Sequence, residues 1–577
     1  MSKKKWLLIA AIAVTVIAVG FLITFQVIRH SQRKPINSSV TLESGSEDET
    51  EETEKETDAV EETGPSYPVV ELDVPPIEVQ NTNVRMEAED AVFSGLLIVE
   101  NIRTGYSGQG YLAGFEANPG DLVQATYAIE AAQHYDITIS VCADTVVTNA
   151  LLLNGERLGE FTIEESGHFV RVTFSGVYLP KGEVTLSIEE LDGHFALDYF
   201  EITDFKEMYQ MEYRDSYELC NKNASENAKK LMEYMSMHYG AKMLTGQYAA
   251  NDTNTESDLI FRLTGKIPAI RFGDLEGYTQ NSTAAKSNAI AACESWAERG
   301  GIVGLMWHWD APTGVSSVYS KDTDFSLIDA LTDKDLALLD QEEIDELYDE
   351  GGITEECYTI LRDIDSVSAE LKVLAEKDIP VLWRPLHEAS GDWFWWGSDG
   401  SNAYRWLWEL LYTRMTEYHE LNNLIWVWNG QSADYLVDEN MYDIASLDIY
   451  LPEETAYSSR YEQFVLLSRM TGGEKMLALS ETSSIPNMND MFRDNCIWSF
   501  FGLWYGEYLI GEDGEYSEKY TTADDMVALY NSEAVLTLGD TAAYFLDGEE
   551  PEELQKPTAM ATEEMTEESS ETTETQS

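Results

Sequence analysis

Between residues 217 and 545 the chain repeats one pattern eight times: a short apolar run rich in β-branched and aromatic residues, then a stretch with helical periodicity. The runs fall at 241–248, 267–273, 301–309, 379–388, 424–429, 442–450, 476–482 and 496–504. Such alternation predicts βα units around a parallel sheet, and eight of them are enough to close a barrel. The intervening segments keep one apolar face, as in Tyr404, Leu407, Trp408, Leu411, Met415 and Tyr418. The connection at 311–354 is long for a βα unit and is expected to carry a lid or an insertion.

Chemistry in a (β/α)8 barrel sits at the C-terminal strand ends. Those ends hold Trp307-His308-Trp309, His387-Glu388, Asp448-Ile449-Tyr450, Ser480-Glu481 and Trp504. Glu388 and Glu481, from the fourth and seventh runs, are therefore expected to face each other across the barrel mouth. Just after Glu388 come Trp393, Phe394, Trp395 and Trp396, framed by Gly391 and Gly397. Two carboxyls beside aromatic platforms suit hydrolysis of a glycosidic bond, since a flat ring packs on the apolar face of a sugar. A separation of about 5 Å would give double displacement, and a wider one inversion. A zinc-protease pattern is absent because no second histidine follows His387 at helical spacing, and neither a P-loop nor a serine elbow stands out.

Residues 83–205 read differently. Runs at 122–129, 135–142, 150–153, 170–174 and 184–188 are separated by Gly, Asn and Asp turns, which predicts a β-sandwich of jelly-roll type. The expected architecture is thus α/β: a (β/α)8 TIM barrel at 217–545 preceded by a β-sandwich module at 83–205. Asn154, before Gly155, is either a ligand contact or simply a hairpin turn. Tyr106 lies on a loop that can meet a sugar.

The formal net charge is −68. Part of it lies in two tracts, 43–62 and 547–574, each with eleven acids against one lysine, but the body between them is acidic as well. Such a body repels phosphate backbones, so no nucleic-acid partner is expected. Residues 35–82 read as an acidic disordered linker and 546–577 as an acidic disordered tail. At the N-terminus three lysines precede an apolar run at 6–28, long enough to cross a bilayer at about 1.5 Å per residue. Residues 1–34 are therefore expected to anchor the body at the extracellular face of the membrane, or to direct secretion if cleaved. The five cysteines are scattered and odd in number, which argues against a disulfide framework or a metal cluster.

Two resemblances add to this reading. The opening Met86-Glu87-Ala88-Glu89, the loop Thr104-Gly105-Tyr106-Ser107-Gly108-Gln109-Gly110-Tyr111 and the closing Leu197-Asp198-Tyr199 resemble carbohydrate-binding modules of family 35, and the related family 6. The resemblance implies a structural calcium held by Glu87, Glu89 and Asp198 with loop carbonyls, and such a hard cation does favour oxygen ligands.

The larger unit resembles glycoside hydrolase family 26, chiefly its β-mannanases. The match runs through Leu244-Thr245-Gly246-Gln247, Gly265-Lys266-Ile267-Pro268-Ala269, Trp307-His308-Trp309, Trp383-Arg384-Pro385-Leu386-His387-Glu388, the segment 421–429 and Leu479-Ser480-Glu481-Thr482. It implies retention, with Glu388 as acid/base, Glu481 as nucleophile, and His387, Trp393 and Tyr450 beside the scissile bond. His308, Arg384, Asp448 and Trp504 are further candidates for substrate contact, and Arg384 also for steadying the charge of Glu481. No cofactor is expected for the chemistry. The implied protein is a monomeric endo-β-1,4-mannanase acting on β-mannan; alternatives are a β-1,3-1,4-glucanase or β-1,3-xylanase on the same fold, or a non-catalytic surface carbohydrate-binding protein.

Overall fold

The computed structural model describes residues 64–556, apart from 76, 119, 208–210, 251–252, 454–457, 552–553 and 555. The expected N-terminal anchor and most of the acidic tail lie outside the described residues. Among the described residues no helix is long and apolar enough to cross a membrane.

The first unit is two antiparallel sheets. One orders Ile98–Glu100, Tyr111–Ala113, Phe195–Asp204, Gln133–Ala143 and Val170–Leu179, with Asn83–Glu87 paired onto Phe195–Asp204. The other orders Val92–Ser94, Leu122–Ile129, Gly182–Glu189, Val147–Leu153 and Glu156–Ile163. Along Leu122–Ile129 every second side chain is buried, so this strand was visible in the pattern. Phe195–Asp204 is buried over its first eight residues, which removes the alternation that marks a half-exposed strand. Ile137, Ile139, Val141, Leu186, Phe200 and Ile202 form the centre of the sandwich. Asn154 (φ 53°) and Gly155 (φ 88°) turn the hairpin between two strands, and Asn154 Oδ1 accepts from Thr185 N at 2.9 Å. The bland reading of Asn154 is the one this geometry supports.

Eight parallel strands close the barrel: β1 (Gly246–Tyr248), β2 (Ile270–Asp274), β3 (Ile302–Met306), β4 (Val381–Arg384), β5 (Leu424–Trp428), β6 (Ile444–Ile449), β7 (Met476–Thr482) and β8 (Phe501–Leu503). Gln247 pairs with Leu503 to complete the ring. Each strand falls within, or one residue beyond, an expected run, but several are shorter. The first run divides at Thr245, because Met243–Leu244 pairs instead with Val535–Leu536 outside the barrel. The fourth stops at Arg384, since Leu386 and Glu388 adopt left-handed backbone (φ 50° and 52°) that no strand accommodates. Val381, Leu382, Ile425, Trp426, Leu477 and Leu479 are buried, as strands covered on both faces require.

The long connection after β3 folds onto the loop after β4. Ser320 N donates to Trp393 O at 2.8 Å, Trp395 N donates to Val318 O at 3.1 Å, and Tyr319 stacks on Phe394. The insertion therefore braces the aromatic loop. Residues 64–75, expected within a disordered linker, instead pack as a strap over the barrel: Val70 exchanges backbone bonds with Asn531 and Glu533, and Asp73 N donates to Asn489 Oδ1, while Glu78, Gln80 and Thr82 bond to the sandwich. Sandwich and barrel meet at a buried polar contact, where His134 Nε2 lies 2.6 Å from Asp494 Oδ1 and Arg493 sits over the Tyr178 ring. All five cysteines are free and four are buried, as small apolar side chains commonly are.

Candidate active site

Chain reversal after β4 places Glu388 at the barrel mouth. Pro385 ends the strand ladder, and the left-handed conformation at Leu386 and Glu388 costs on the order of 1–2 kcal/mol per residue. The Glu388 amide offsets part of that cost by donating to Asn429 O and Oδ1, each at 2.8 Å. Its carboxylate accepts from Trp393 Nε1 at 3.1 Å.

Glu481, near the end of β7, is held at both oxygens. Tyr450 OH donates to Oε2 at 2.6 Å and Arg384 Nη2 donates to Oε1. The same guanidinium donates to Asp448 Oδ2 at 3.0 Å and to Tyr248 OH at 3.0 Å. Glu388, Asp448 and Glu481 each bring a carboxylate oxygen within 4.8 Å of the others. One guanidinium thus serves two carboxyl groups, with a third close by. Burial alone would loosen the proton of Arg384, but Asp448, Tyr248 and Glu481 outweigh it and the group stays charged. Burial pushes Asp448 up to about 8, opposed by Arg384 and reinforced by Glu481 and Glu388. With an oxygen of each within 4.8 Å of the other, Glu388 and Glu481 stand closer than the roughly 6.5 Å or more that inversion needs, which favours double displacement.

The remaining candidates divide by depth. Trp393 and Tyr450 are half-buried and border the carboxylates, and Trp504 is half-buried with its ring 4.7 Å from that of Tyr248. His308 is half-buried, and its Nδ1 lies 2.5 Å from Asp274 Oδ2. His387 is only 1% exposed and sits edge-on to His308, against the stacked rings of Phe394 and Trp396. Arg384 and Asp448, expected as substrate contacts, are buried to the same degree as the two glutamates, and they hydrogen-bond to Glu481, Tyr248, Ser480 and Asn429 and to each other. Phe394, Trp395 and Trp396 are likewise buried, so Trp393 is the member of that run with surface left for a ligand. Tyr248, Asp274, Asn429 and Ser480 were not singled out as site residues. Each lies at or next to a strand end, but tyrosine, serine and amide side chains carry no spacing that marks them.

In the sandwich, Glu87, Glu89 and Asp198 converge on the loop at 107–110. Ser107 N donates to Asp198 Oδ1 at 2.8 Å and Ser107 Oγ to Glu87 Oε2 at 2.5 Å, while Gln109 N and Gly110 N donate to Glu89 Oε1. Tyr106, on the same loop, is half-buried against Tyr111.

A closed (β/α)8 barrel with paired glutamates at the ends of β4 and β7, one seated beside a tryptophan and the other clamped by arginine and tyrosine, has the build of a retaining glycoside hydrolase. Residues 220–540 match the model of glycosyl hydrolase family 26, and residues 84–204 that of carbohydrate binding module family 35. Mannan endo-1,4-β-mannosidase A of Piromyces sp is 33% identical over 488 residues, covering 82% of this chain and 75% of that protein. The mannan endo-1,4-β-mannosidase of Thermothelomyces thermophilus is 32% identical over 481 residues, covering 81% and 92%. Among solved structures, the Podospora anserina GH26-CBM35 β-(1,4)-mannanase aligns with a TM-score of 0.55 at 29% identity, over 80% of this chain and 99% of that one. The chain belongs to glycosyl hydrolase family 26, and it is a glycoside hydrolase with an N-terminal family 35 carbohydrate-binding module.

Proposed function

We infer that the protein is a retaining endo-β-1,4-mannanase in which Glu388 is the acid/base and Glu481 the nucleophile. The observation that carries the roles is the asymmetric seating of two carboxylates within 4.8 Å. Glu481 accepts from Arg384 and Tyr450, which favour its anion and aim it at one position. Glu388 accepts instead from the indole N–H of Trp393. In the first step Glu481 attacks the anomeric carbon while Glu388 gives its proton to the departing glycosidic oxygen. In the second, Glu388 takes a proton from water, whose oxygen displaces Glu481 and restores the starting configuration. Trp393 offers an apolar ring face to the sugar beside the scissile bond, and His308, held by Asp274, a ring nitrogen for its hydroxyls.

Glu388→Ala and Glu481→Ala should each abolish release of reducing ends from mannan while the fold and polysaccharide binding persist. Turnover like that of the parent enzyme in either variant would sink the assignment. Mixed-linkage glucan and xylan belong in the same assay, because preference for either would replace mannan as the substrate.

In the module, the loop at 107–110 and its three carboxylates fit a structural calcium. Burial raises Glu87 and Asp198 above the usual carboxylate range and neighbouring acids add to it, while Glu89 Oε2 is buried without a hydrogen-bond partner. A bound cation would relieve all three. Chelation should then lower the melting temperature of the module and leave mannan hydrolysis intact; an unchanged melting curve refutes the site. The apolar run at 6–28 and the acidic tract after it would anchor a monomeric enzyme on the outer face of the membrane, where the module raises the local concentration of polymer. Activity that partitions into detergent-extracted membranes from intact cells tests that placement.

A further inference from the structure

Asn429 closes β5 and has no exposed surface, so it does not reach a substrate. Its amide nevertheless touches both halves of the catalytic apparatus. Oδ1 accepts the backbone N–H of Glu388 at 2.8 Å, the residue held in left-handed backbone. Nδ2 faces Asp448 Oδ1 at 3.2 Å, Ser480 Oγ at 3.0 Å and Ser446 Oγ at 3.0 Å. Ser480 Oγ in turn donates to Asp448 Oδ1 at 2.6 Å, and Asp448 Oδ2 takes one arm of the Arg384 fork whose other arm holds Glu481. Continuous hydrogen bonding therefore runs from the amide of Glu388, through the side chains of Asn429 and Asp448, to the cation that clamps Glu481. The amide has one possible sense, since the Glu388 N–H can only donate and so must meet the oxygen.

We propose that Asn429 is a positioning residue that sets the acid/base and the nucleophile in register, by seating the strained Glu388 backbone on one side and Asp448 on the other. The inference rests on the roles given above to Glu388 and Glu481. Near-attack geometry is sensitive to displacements well under 1 Å, and a glutamate on a reversing loop has no strand ladder to fix it. The second carbonyl at Glu388, Asn429 O, comes from the backbone and survives any substitution there. Losing Oδ1 therefore loosens the acid without detaching the loop.

The test compares two substrates and two variants. Mannan has a poor leaving group that needs a proton; a 2,4-dinitrophenyl β-mannobioside has one that does not. Asn429→Ala should lower kcat on mannan by about a hundredfold with KM changed less than about threefold, and the loss of kcat/KM, which reports the first step alone, should be at least about tenfold smaller on the dinitrophenyl substrate than on mannan. Asn429→Asp keeps the oxygen towards Glu388 but puts a carboxyl where Asp448 receives an N–H. Its pH profile should move upward by about half a unit or more, because added negative charge makes the cluster harder to ionise. Rates are normalised to active sites by the dinitrophenolate burst, so a partly folded variant is still informative. Equal losses of kcat/KM on both substrates in Asn429→Ala, or an unmoved profile in Asn429→Asp, would mean a merely structural role and overturn the proposal. Full activity of Glu388→Ala would instead sink the roles on which it rests, which separates the two failures.

Discussion

Arg384→Met is the most informative perturbation of the site. Arg384 is 3% exposed and donates both to Asp448 and to Glu481. Removing it leaves those carboxylates, with Glu388 close by, without their shared cation. At an effective dielectric near 20, a unit charge about 4 Å away is worth about 4 kcal/mol, and at 1.36 kcal/mol each that is on the order of three pH units. Division between two acceptors and relaxation of the pocket reduce the figure to about one to two units. The sign follows from charge. Without the cation the carboxylates ionise less readily, and Glu481 must be ionised to attack, so the acidic limb of kcat/KM moves to higher pH. Arg384→Lys restores the charge but not the fork and should fall in between. Breaking a buried pair also costs about 3–5 kcal/mol of stability, so rates should be referred to the folded fraction measured by denaturant titration. An acidic limb in Arg384→Met within about 0.3 pH units of the parent would refute the argument that this cation sets the ionisation of the cluster.

Three further outcomes follow from the same geometry. Trp393→Phe keeps a ring for the sugar but removes the donor to Glu388, and should lower kcat/KM on mannan about tenfold, whereas Trp393→Ala should lose about a hundredfold or more. At the sandwich–barrel contact burial would raise Asp494, but His134 and Arg493 overcome it and hold the carboxyl down at about 2. That stability is present above the ordinary carboxylate value and lost as the pH falls towards 2, so Asp494→Asn should cost about 2 kcal/mol at pH 7 and little near pH 2 in denaturant titrations. Burial pushes Asp363, which accepts from Trp309 Nε1, up to about 7. Stability is therefore lost as the pH rises from the ordinary carboxylate range through 7. Asp363→Asn should be more stable than the parent by about 4 kcal/mol at pH 8, with the two converging near pH 4.

Much of the catalytic unit was legible in the sequence because buried parallel strands are apolar without interruption and their ends carry the chemistry. Glu388, Glu481, Trp393 and Tyr450 could be found that way: each follows or ends an apolar run, and carboxylates or aromatics at such positions are conspicuous. Arg384 and Asp448 were found too, but their depth was not, since a sequence gives the order of residues along a strand and not which face meets solvent at the barrel mouth. Asn429 lay in a quoted motif without a role. The strap at 64–75 was hidden for another reason: it has no helical or strand period, and its order comes from backbone bonds to residues 531 and 533, far away in the chain.

By itself the sequence determined that eight apolar runs would close a barrel, that a sandwich would precede it, and that two glutamates would share one mouth, because periodicity and strand-end chemistry are local properties. Only the tertiary structure decided how those glutamates differ. Glu481 shares Arg384 with Asp448, and Glu388 turns back in left-handed backbone onto Asn429. Electrostatic asymmetry of that kind depends on distances of about 3 Å between residues up to 97 positions apart, which no local pattern encodes.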